Sequence, residues 1–451
     1  MEGPLLFLVL ILGVLFIVFA TAKLKLNPFL SVIFAAFLVG LLAGLPLNDV
    51  VGAVNGGFGG LMSSIGIVIV AGTIIGTILE KSGAALRMAE VVLRIVGQKR
   101  PQLAMSMIGA IVSIPVFCDS GYVILSSLKK TLAKKAKVAL ASMSVALATG
   151  LYATHTLVPP TPGPIAAAGN IGASNYLGTI IFIGILVAIP TIIAGYIWAM
   201  KVGSKIRIKG EDDLELNYDD IVKSFGELPS TTKSFAPIVL PIALIAAGTI
   251  ASFAGLEGTF ADILLFLGSP VVALLTGVLA AFFLMPKWNE ETLTGWVGEG
   301  MKNSTNILLI TGAGGAFGFV IRATPVTDQI QGFVDGGALT GALILIIPFL
   351  IAAALKTAQG SSTAALVITS ALFAPLLPQL GVEGAIPLAL VVMAIGAGAM
   401  AVSHVNDSYF WVVKEFSGMD VTDAYKAQTM ATLVQGLTAI SVTLLLWVLL
   451  V

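Results

Sequence analysis

The chain has 451 residues and is strongly apolar, since 57% of them are hydrophobic, only 11% are charged and the mean hydropathy is +1.02. These values exclude a soluble globular domain and predict a single all-α, polytopic membrane domain. The net charge is zero and Cys118 is the single cysteine, which excludes a global basic field for nucleic acid, a disulfide framework and a cysteine-based metal cage.

Repeated apolar stretches of about 20 residues are each long enough to cross the hydrocarbon core of a bilayer. The first, from Pro4 to Ala20, is followed by Lys23 and Lys25. Because basic residues collect on the cytoplasmic side, we expect an uncleaved helix whose N-terminus lies outside. A second helix, from about Asn27 to Leu45, returns outward. Residues 1–56 are therefore predicted to form N-terminal helices.

The first repeat, residues 57–200, is predicted to begin with a helix from about Leu61 to Leu79 that crosses into the cytoplasm. A basic, amphipathic stretch follows: Lys81, Arg87, Arg94, Lys99 and Arg100. Too few apolar residues for two crossings separate Arg100 from the next basic cluster at Lys129, yet both flanks favour the cytoplasm. A re-entrant hairpin with an irregular tip from Pro115 to Gly121 satisfies both constraints, because such backbone is tolerated only inside protein or beside a watery cavity.

A broken transmembrane helix is predicted to follow this hairpin. It starts at about Val138 and cannot be continuous from His155 to Pro164, because this segment contains four prolines. Proline lacks an amide hydrogen and disfavours a helical residue before it. A span from about Tyr176 to Met200 then returns to the cytoplasm and ends the repeat.

The middle of the chain is predicted to connect two halves. Residues 201–234 form a charged cytoplasmic linker. Residues 235–295 form two linking helices, from about Phe235 to Phe253 and from Asp262 to Met285, which bring the chain back to the cytoplasm. The second repeat, residues 296–451, follows.

The second repeat is predicted to have the same plan as the first. Its hairpin enters near Gly341 and has its tip from Lys356 to Thr363, and its broken helix is interrupted from Ser403 to Asp407. With a small change of offset, the only two histidines, His155 and His404, coincide. Because the first repeat enters the membrane from outside and the second from the cytoplasm, the halves form an inverted-topology repeat.

Inverted repeats with hairpins and discontinuous helices are typical of secondary transporters, which bind substrate and coupling ion near the midplane. All four predicted breaks are polar, and helix N-termini at the hairpin tips offer unpaired amides to an anion. A small hydroxylated carboxylate suits such a site. The predicted substrate-binding residues belong to these breaks: Asp119, Ser120, Gly121, Thr154, Thr161, Lys356, Thr357, Gln359, Gly360, Ser361, Ser362, Thr363 and Asn406.

The predicted proton-coupling residues are ionisable groups of the same breaks: Asp119, His155, His404 and Asp407. Carboxylates and histidines at membrane depth can carry a proton when a cavity supplies a path for it. A structural interpretation is also open for these groups. Asp119 can cap its broken helix, and either histidine can bond a backbone carbonyl.

Three polar residues of the second repeat also allow two interpretations. Asn406 and Asp407 either complete the pocket or cap the helix that begins at Ser408. Lys356 either pairs with a substrate carboxylate, with Asp119 or with Asp407, or it extends its ammonium group to the membrane interface.

Three stretches resemble the gluconate:proton symporter family, whose members occupy about this whole length: His155–Ala168, Val116–Tyr122 and Ser403–Ser408. The resemblance implies a multi-pass protein of the inner membrane that takes up gluconate, or a close relative, with a proton. Family members also carry idonate, fructuronate, glycerate and D-serine. The family is similar to a wider ion transporter superfamily, in which two hairpin-bearing repeats form a transport domain beside a scaffold, often in a homodimer with an elevator motion.

The hypothesis is therefore a carrier that works by alternating access, with no enzymatic activity, cofactor or metal. The main alternative within this class is a carrier of D-serine, in which Asp119 or Asp407 would hold the ammonium group. Alternatives from other classes are an ion channel and an intramembrane enzyme. The sequence contains no HExxH, GxSxG or P-loop lysine motif that would support an enzyme or an ATP-driven pump.

Overall fold

Helices provide all of the regular secondary structure in the computed structural model, which describes residues 4–97, 99–208, 223, 225–324, 341 and 343–451. The helices of the N-terminal part are α1 Pro4–Ala22, α2 Pro28–Leu42, α3 Leu47–Lys81, α4 Ala84–Val96, α5 Pro101–Val112, α6 Cys118–Ala136, α7 Leu140–Leu157, α8 Pro162–Asn170 and α9 Leu177–Lys201. The later helices are α10 Thr231–Phe253, α11 Thr259–Gly268, α12 Pro270–Phe282, α13 Val297–Ala323, α14 Leu343–Gln359, α15 Ser362–Phe373, α16 Ala385–Met400, α17 Ser408–Ser417 and α18 Met430–Leu450. The predicted all-α class is confirmed for this part of the chain.

Several of these helices are long and apolar enough to cross a membrane. In the described ranges there are five such stretches: Leu47–Lys81, Ser174–Lys205, Thr231–Phe253, Glu291–Ala323 and Val421–Leu450. The pair α11–α12 makes a sixth if the bent pair is counted as one span. Large apolar side chains such as Phe182, Ile250 and Val448 are mostly exposed, which suits contact with lipid.

The third helix is longer than the sequence predicts. Its predicted span starts at about Leu61, but α3 begins at Leu47 and continues through a glycine-rich segment. Tertiary packing explains the difference, because a Cβ atom at Gly57 would collide with the carbonyl oxygen of Gly315 in α13. Small residues permit this close approach of two helices, so Gly57 lies in a helix–helix contact.

The linking segment between the halves also departs from the prediction. The expected continuous span from Asp262 to Met285 is instead the pair α11–α12, which bends by 66° at Ser269. Ser269 has extended backbone angles because the ring of Pro270 disfavours a helical residue before it. Part of the predicted linker 201–234, namely residues 209–222 and 224, lies outside the described residues.

The irregular segments of the first half are shorter than predicted. The first one spans residues 113–117, so Asp119, Ser120 and Gly121 lie in the first turn of α6 and not in a loop. The second spans residues 158–161, and His155 belongs to the last turn of α7. The next prolines fall in the first turn of α8. Amides in this turn have no intrahelical acceptor, so proline removes no helical hydrogen bond there.

The irregular segments of the second half lie close to their predicted positions. Between α14 and α15 only Gly360 and Ser361 are non-helical, so Lys356 lies in the last turn of α14. Between α16 and α17 the chain is irregular over residues 401–407, and α17 begins at Ser408 as predicted.

Candidate functional site

Three of the four helix breaks, together with one face of α7, contribute to one cavity of about 270 Å³, which we call the central cavity. It is lined by Phe117, Cys118, Asp119, Tyr152, His155, Gln359, Gly360, Ser361, Ser362, Thr363, Asn406, Asp407, Ser408 and Tyr409. The first two residues of α6 and one face of α7 meet the tip between α14 and α15 and the start of α17. Four segments that are far apart in the chain therefore share one polar space.

Most of the predicted site residues lie on this cavity. Those that line it are Asp119, His155, Gln359, Gly360, Ser361, Ser362, Thr363, Asn406 and Asp407. Those that do not line it are Ser120, Gly121, Thr154, Thr161, Lys356, Thr357 and His404. Thr161 instead donates its hydroxyl hydrogen to the carbonyl oxygen of Val158, 2.6 Å away, within the break itself.

Aromatic residues of the cavity were not predicted. The rings of Tyr152 and Tyr409 stack with centroids 5.1 Å apart, and the hydroxyl of Tyr409 donates to the carbonyl oxygen of Ala148 at 2.9 Å. Phe117 packs at a tilt against the ring of His155. Tyr152 precedes His155 by three residues and therefore shares its helix face, which is the one signal that could have located it.

A buried ion pair joins Asp407, which lines the cavity, to Lys356, which does not. Lys356 is fully buried, and its Nζ atom lies 2.6 Å from Oδ2 of Asp407, which is 4% exposed. The same ammonium group donates to the carbonyl oxygen of Gly360 at 2.5 Å. Of the partners considered for Lys356, the structure forms the one with Asp407.

The carboxylate of Asp407 also has a structural role. Its Oδ2 atom also accepts a hydrogen bond from the hydroxyl of Ser403. Its Oδ1 atom accepts from the backbone amide of Tyr409 at 3.0 Å and thereby caps α17. Asp407 is thus a helix cap, an ion-pair partner and a lining residue at once.

The tip between α14 and α15 is held against the break before α17. The carbonyl oxygen of Thr357 lies 2.9 Å from Nε2 of His404 and accepts from Nδ2 of Asn406 at 2.6 Å. A carbonyl only accepts, so Nε2 of His404 carries the hydrogen. Gly360 has a φ of +88°, and a Cβ atom there would collide with the carbonyl oxygen of Asn406. Only glycine fits this position.

Several buried polar atoms of the central cavity have no hydrogen-bond partner among the described residues. They are Oδ1 of Asp119, Nδ1 of His155, Nε2 and Oε1 of Gln359, and Oδ1 of Asn406. Most buried polar atoms in proteins are paired, because an unpaired one costs about 1–3 kcal/mol. A polar ligand that bonds to these atoms would remove that cost.

Three helices begin at the cavity and present their positive dipole ends to it. Cys118, Ser362 and Ser408 are the first residues of α6, α15 and α17, and all three line the cavity. The first-turn amides of a helix have no intrahelical acceptor, and the helix dipole makes this end attractive to anions. The N-cap of α6 supplies no side-chain bond to those amides. The cavity therefore suits an anion that also carries hydrogen-bonding groups.

Comparison with known proteins identifies the family. The family model described as GntP family permease matches residues 5–450. The chain belongs to this family. The GntP family permease is thus a transporter and not an enzyme, and the resemblance seen in its three sequence stretches is confirmed.

Relatives of this GntP family permease are named for transport. The high-affinity gluconate transporter of Escherichia coli K12 is 32% identical, with 93% of this chain and 94% of that protein covered. The D-serine transporter DsdX of the same strain is 31% identical, with 97% of each chain covered. The inner membrane permease YgbN of the same strain is 31% identical, with 96% of this chain and 97% of that protein covered. The inner-membrane location is therefore confirmed.

The fold of this GntP family permease also occurs in a solved transporter structure. The YdaH transporter of Alcanivorax borkumensis superimposes with a TM-score of 0.67 at 15% identity, covering 93% of this chain and 98% of that one. At this identity the likeness concerns the fold alone. It agrees with an all-helical transporter architecture.

Proposed function

We propose that this permease takes up gluconate, or a related small hydroxy-carboxylate, together with a proton, and that it works by alternating access. The observation that supports this most is the central cavity, where the starts of three helices and several unpaired polar atoms lie together. Its volume of about 270 Å³ lies just below the range of about 300–1,000 Å³ that is usual for drug-sized ligands. A small organic acid suits that size.

The carboxylate of the substrate would bind at the starts of the helices. The N-terminus of α6 has no side-chain cap, so its first amides are available to a ligand oxygen. Lys356 is an unsuitable partner for the carboxylate, because it already donates to Asp407 and Gly360. In this proposal, backbone dipoles rather than a lysine hold the negative charge.

The hydroxyl groups of the substrate would bind to polar side chains that line the central cavity. Gln359 has both a donor and an acceptor without a partner, and Asn406 has an acceptor. Hydroxyls donate and accept, so a polyhydroxy acid can satisfy several of these atoms together. A site that hydrogen-bonds hydroxyls strongly rejects analogues that lack them, because its own buried groups then stay unpaired.

The proton would be carried by Asp119 and His155. Each faces the central cavity, and each has one buried atom without a partner among the described residues. The other two predicted proton carriers are engaged elsewhere, since Asp407 pairs with Lys356 and His404 bonds to Thr357. We therefore place proton coupling on Asp119 and His155 and give Asp407 and His404 positioning roles.

We also propose that the two halves are inverted repeats. The order of elements supports this: α3, hairpin α5–α6, broken helix α7–α8 and α9 in one half, and α13, hairpin α14–α15, broken helix α16–α17 and α18 in the other. Both hairpins are taken as re-entrant, and residues 57–200 and 296–451 as the repeats. Secondary transporters with this construction alternate access by moving one unit against another around a midplane site. We also propose a homodimer, as the family resemblance implies.

D-serine is the second candidate substrate. The relative named DsdX is a D-serine transporter. The unpaired Oδ1 atom of Asp119 offers a position for an ammonium group beside the helix N-terminus that would hold the carboxylate. Both substrates would bind their carboxylate at the start of α6; the ammonium group of D-serine would bind to Asp119, and the hydroxyl groups of gluconate to Gln359 and Asn406.

Uptake by purified protein in proteoliposomes tests the proposal. Labelled gluconate is supplied with and without an inward proton gradient, and unlabelled gluconate, glycerate and D-serine are the competitors. Gradient-driven uptake with gluconate as the best competitor is the expected result. Preferential competition by D-serine would move the assignment to the second candidate, and indifference to the gradient would contradict proton coupling.

A further inference from the structure

A second cavity, of about 260 Å³, lies where α3 and α13 meet α8 and α15. We call it the glycine-lined cavity, since Gly56, Gly60 and Gly314 contribute only backbone to its wall. Its polar side chains include Ser64, Asn170 and Arg322. None of these residues belongs to the central cavity.

Two hydrogen bonds orient the side-chain amide of Asn170, and its Oδ1 atom has no partner among the described residues. The residue is 7% exposed, and its Nδ2 atom donates to the carbonyl oxygen of Val367 at 2.9 Å and to the hydroxyl of Ser370 at 2.8 Å. A carbonyl only accepts, so the amide nitrogen must be the atom that faces α15. Its Oδ1 atom lies on the other side of the amide group and has no partner among the described residues. A buried acceptor in a cavity wall points to a ligand that donates a hydrogen bond.

The second ligand-binding group is the guanidinium of Arg322. This residue lies in the last turn of α13, is exposed and forms no ion pair with any carboxylate in the described part of the chain. Arginine presents a planar set of donors that matches a carboxylate in a bidentate geometry. One end of the cavity therefore suits a carboxylate, and Asn170 suits a hydroxyl or ammonium donor.

We propose that the glycine-lined cavity is a second binding site for a small carboxylate that also carries a hydroxyl or ammonium group. The substrate class rests on the proposed function. Arg322 binds the carboxylate, and Oδ1 of Asn170 accepts from the donor group. The bare backbone of the glycines provides the space for the rest of the ligand.

The position of this site makes it a capture site. On the predicted topology, α3 begins and α13 ends at the outer face, so the glycine-lined cavity faces the outside. Helix α15 connects the two cavities, since Ser362 lines the central one and Ala371 the glycine-lined one. Nine residues at 1.5 Å per residue put them about 14 Å apart along the helix. An incoming substrate would meet Arg322 first and the central cavity afterwards.

Two neighbouring glycines of α3 give a matched steric test. A Cβ atom would meet nothing within 4 Å at either Gly59 or Gly60, but only Gly60 lines the cavity. Gly60→Val should therefore obstruct the site, whereas Gly59→Val adds the same side chain outside it. We expect Vmax/KM for uptake to fall about tenfold in Gly60→Val and to stay near the wild-type value in Gly59→Val.

The proposal and the substrate assignment can fail separately. If wild-type protein takes up D-serine and not gluconate, the substrate assignment is wrong, and the capture site is tested with labelled D-serine instead. If both glycine variants lose uptake equally, the loss reflects the helix and not the cavity, and the proposal is overturned.

Removal of the positive charge of Arg322 provides the decisive test. In proteoliposomes, Arg322→Gln should raise KM about tenfold, the effect of losing one charge-assisted hydrogen bond, while Vmax stays within about twofold. Its uptake should also depend less on ionic strength than that of the wild type, because salt screens attraction by an exposed charge. Lys302→Gln removes an exposed cation from the other end of α13 and is the control. An unchanged KM in Arg322→Gln, or an equal change in Lys302→Gln, would refute the capture site.

Discussion

The ammonium group of Lys356 and the carboxylate of Asp407 lie 2.6 Å apart inside the protein and connect the end of α14 to the start of α17. Removal of one partner leaves an uncompensated charge in a buried place, which costs about 3–5 kcal/mol, whereas removal of both charges is often nearly neutral. We therefore expect Lys356→Met to lower the thermal midpoint of the detergent-solubilised protein strongly. The double variant Lys356→Met/Asp407→Asn should recover most of the loss, because asparagine still caps α17.

The partly exposed pair of Lys414 and Glu415 on α17 provides the control. An ion pair in contact with water contributes little, so Lys414→Met should leave the midpoint almost unchanged. Equal midpoints for Lys356→Met and Lys414→Met would show that the buried pair does not stabilise the fold.

Gly360→Ala should impair both folding and uptake. The residue needs a left-handed backbone, and an added methyl group would collide with the carbonyl oxygen of Asn406. Gly381→Ala imposes the same backbone penalty of about 1–2 kcal/mol at a φ of +67°, but its methyl group would meet nothing within 4 Å. Uptake and thermal midpoint should fall much further in Gly360→Ala than in Gly381→Ala. Similar losses in both would mean that the close approach at Gly360 is unimportant.

Asp119→Asn should separate proton coupling from substrate movement. If Asp119 carries the proton, the variant should lose uptake driven by a proton gradient but retain exchange of internal for external substrate. Asp262→Asn is the matched control, because Asp262 is also an acidic residue in the first turn of a helix but is exposed on α11. Wild-type uptake by Asp119→Asn between about pH 5.5 and 8, roughly one unit or more either side of the ordinary histidine pKa, would exclude the proposed role.

The two histidines should respond differently to substitution by glutamine. His155→Gln removes the titratable group that faces the central cavity, so the dependence of uptake on pH should flatten. His404→Gln should retain the pH profile, because the glutamine amide can donate to Thr357 in place of the imidazole. Measurement of initial uptake rates against pH compares the two, and a flattened profile in His404→Gln alone would reverse the assignment.

The positions of the helix breaks could be predicted because proline and glycine act locally. The prolines after Leu157 and the glycine at position 360 forbid or permit backbone conformations whatever surrounds them. Asp119 could be selected as a polar residue beside such a break, whereas Asn406 was selected because it belongs to a polar segment inside an apolar stretch. The bend at Ser269 had the same proline signal at Pro270, but the hydrophobicity of the whole stretch concealed it.

Features that depend on packing could not be predicted in this way. The sequence gives no sign that Gly57 belongs to a helix, and only the folded chain shows it packed against Gly315 of α13. Tyr409 resembles any apolar helix residue, and only the folded chain shows it stacked on Tyr152 beside the cavity. The pairing of Lys356 with Asp407 likewise depends on three-dimensional contact, because the sequence allowed Asp119 as a partner as well.

The start of α6, where no side chain caps the first amides, has a consequence for how substrate choice can evolve. The groups proposed to hold the carboxylate belong to the main chain, and only substitution by proline would remove one of them. On the proposed binding mode, mutation can therefore change the side chains that bind hydroxyl or ammonium groups while the acid stays anchored. A change of substrate would require substitutions of lining side chains such as Asp119, Gln359 and Asn406, with the architecture left intact.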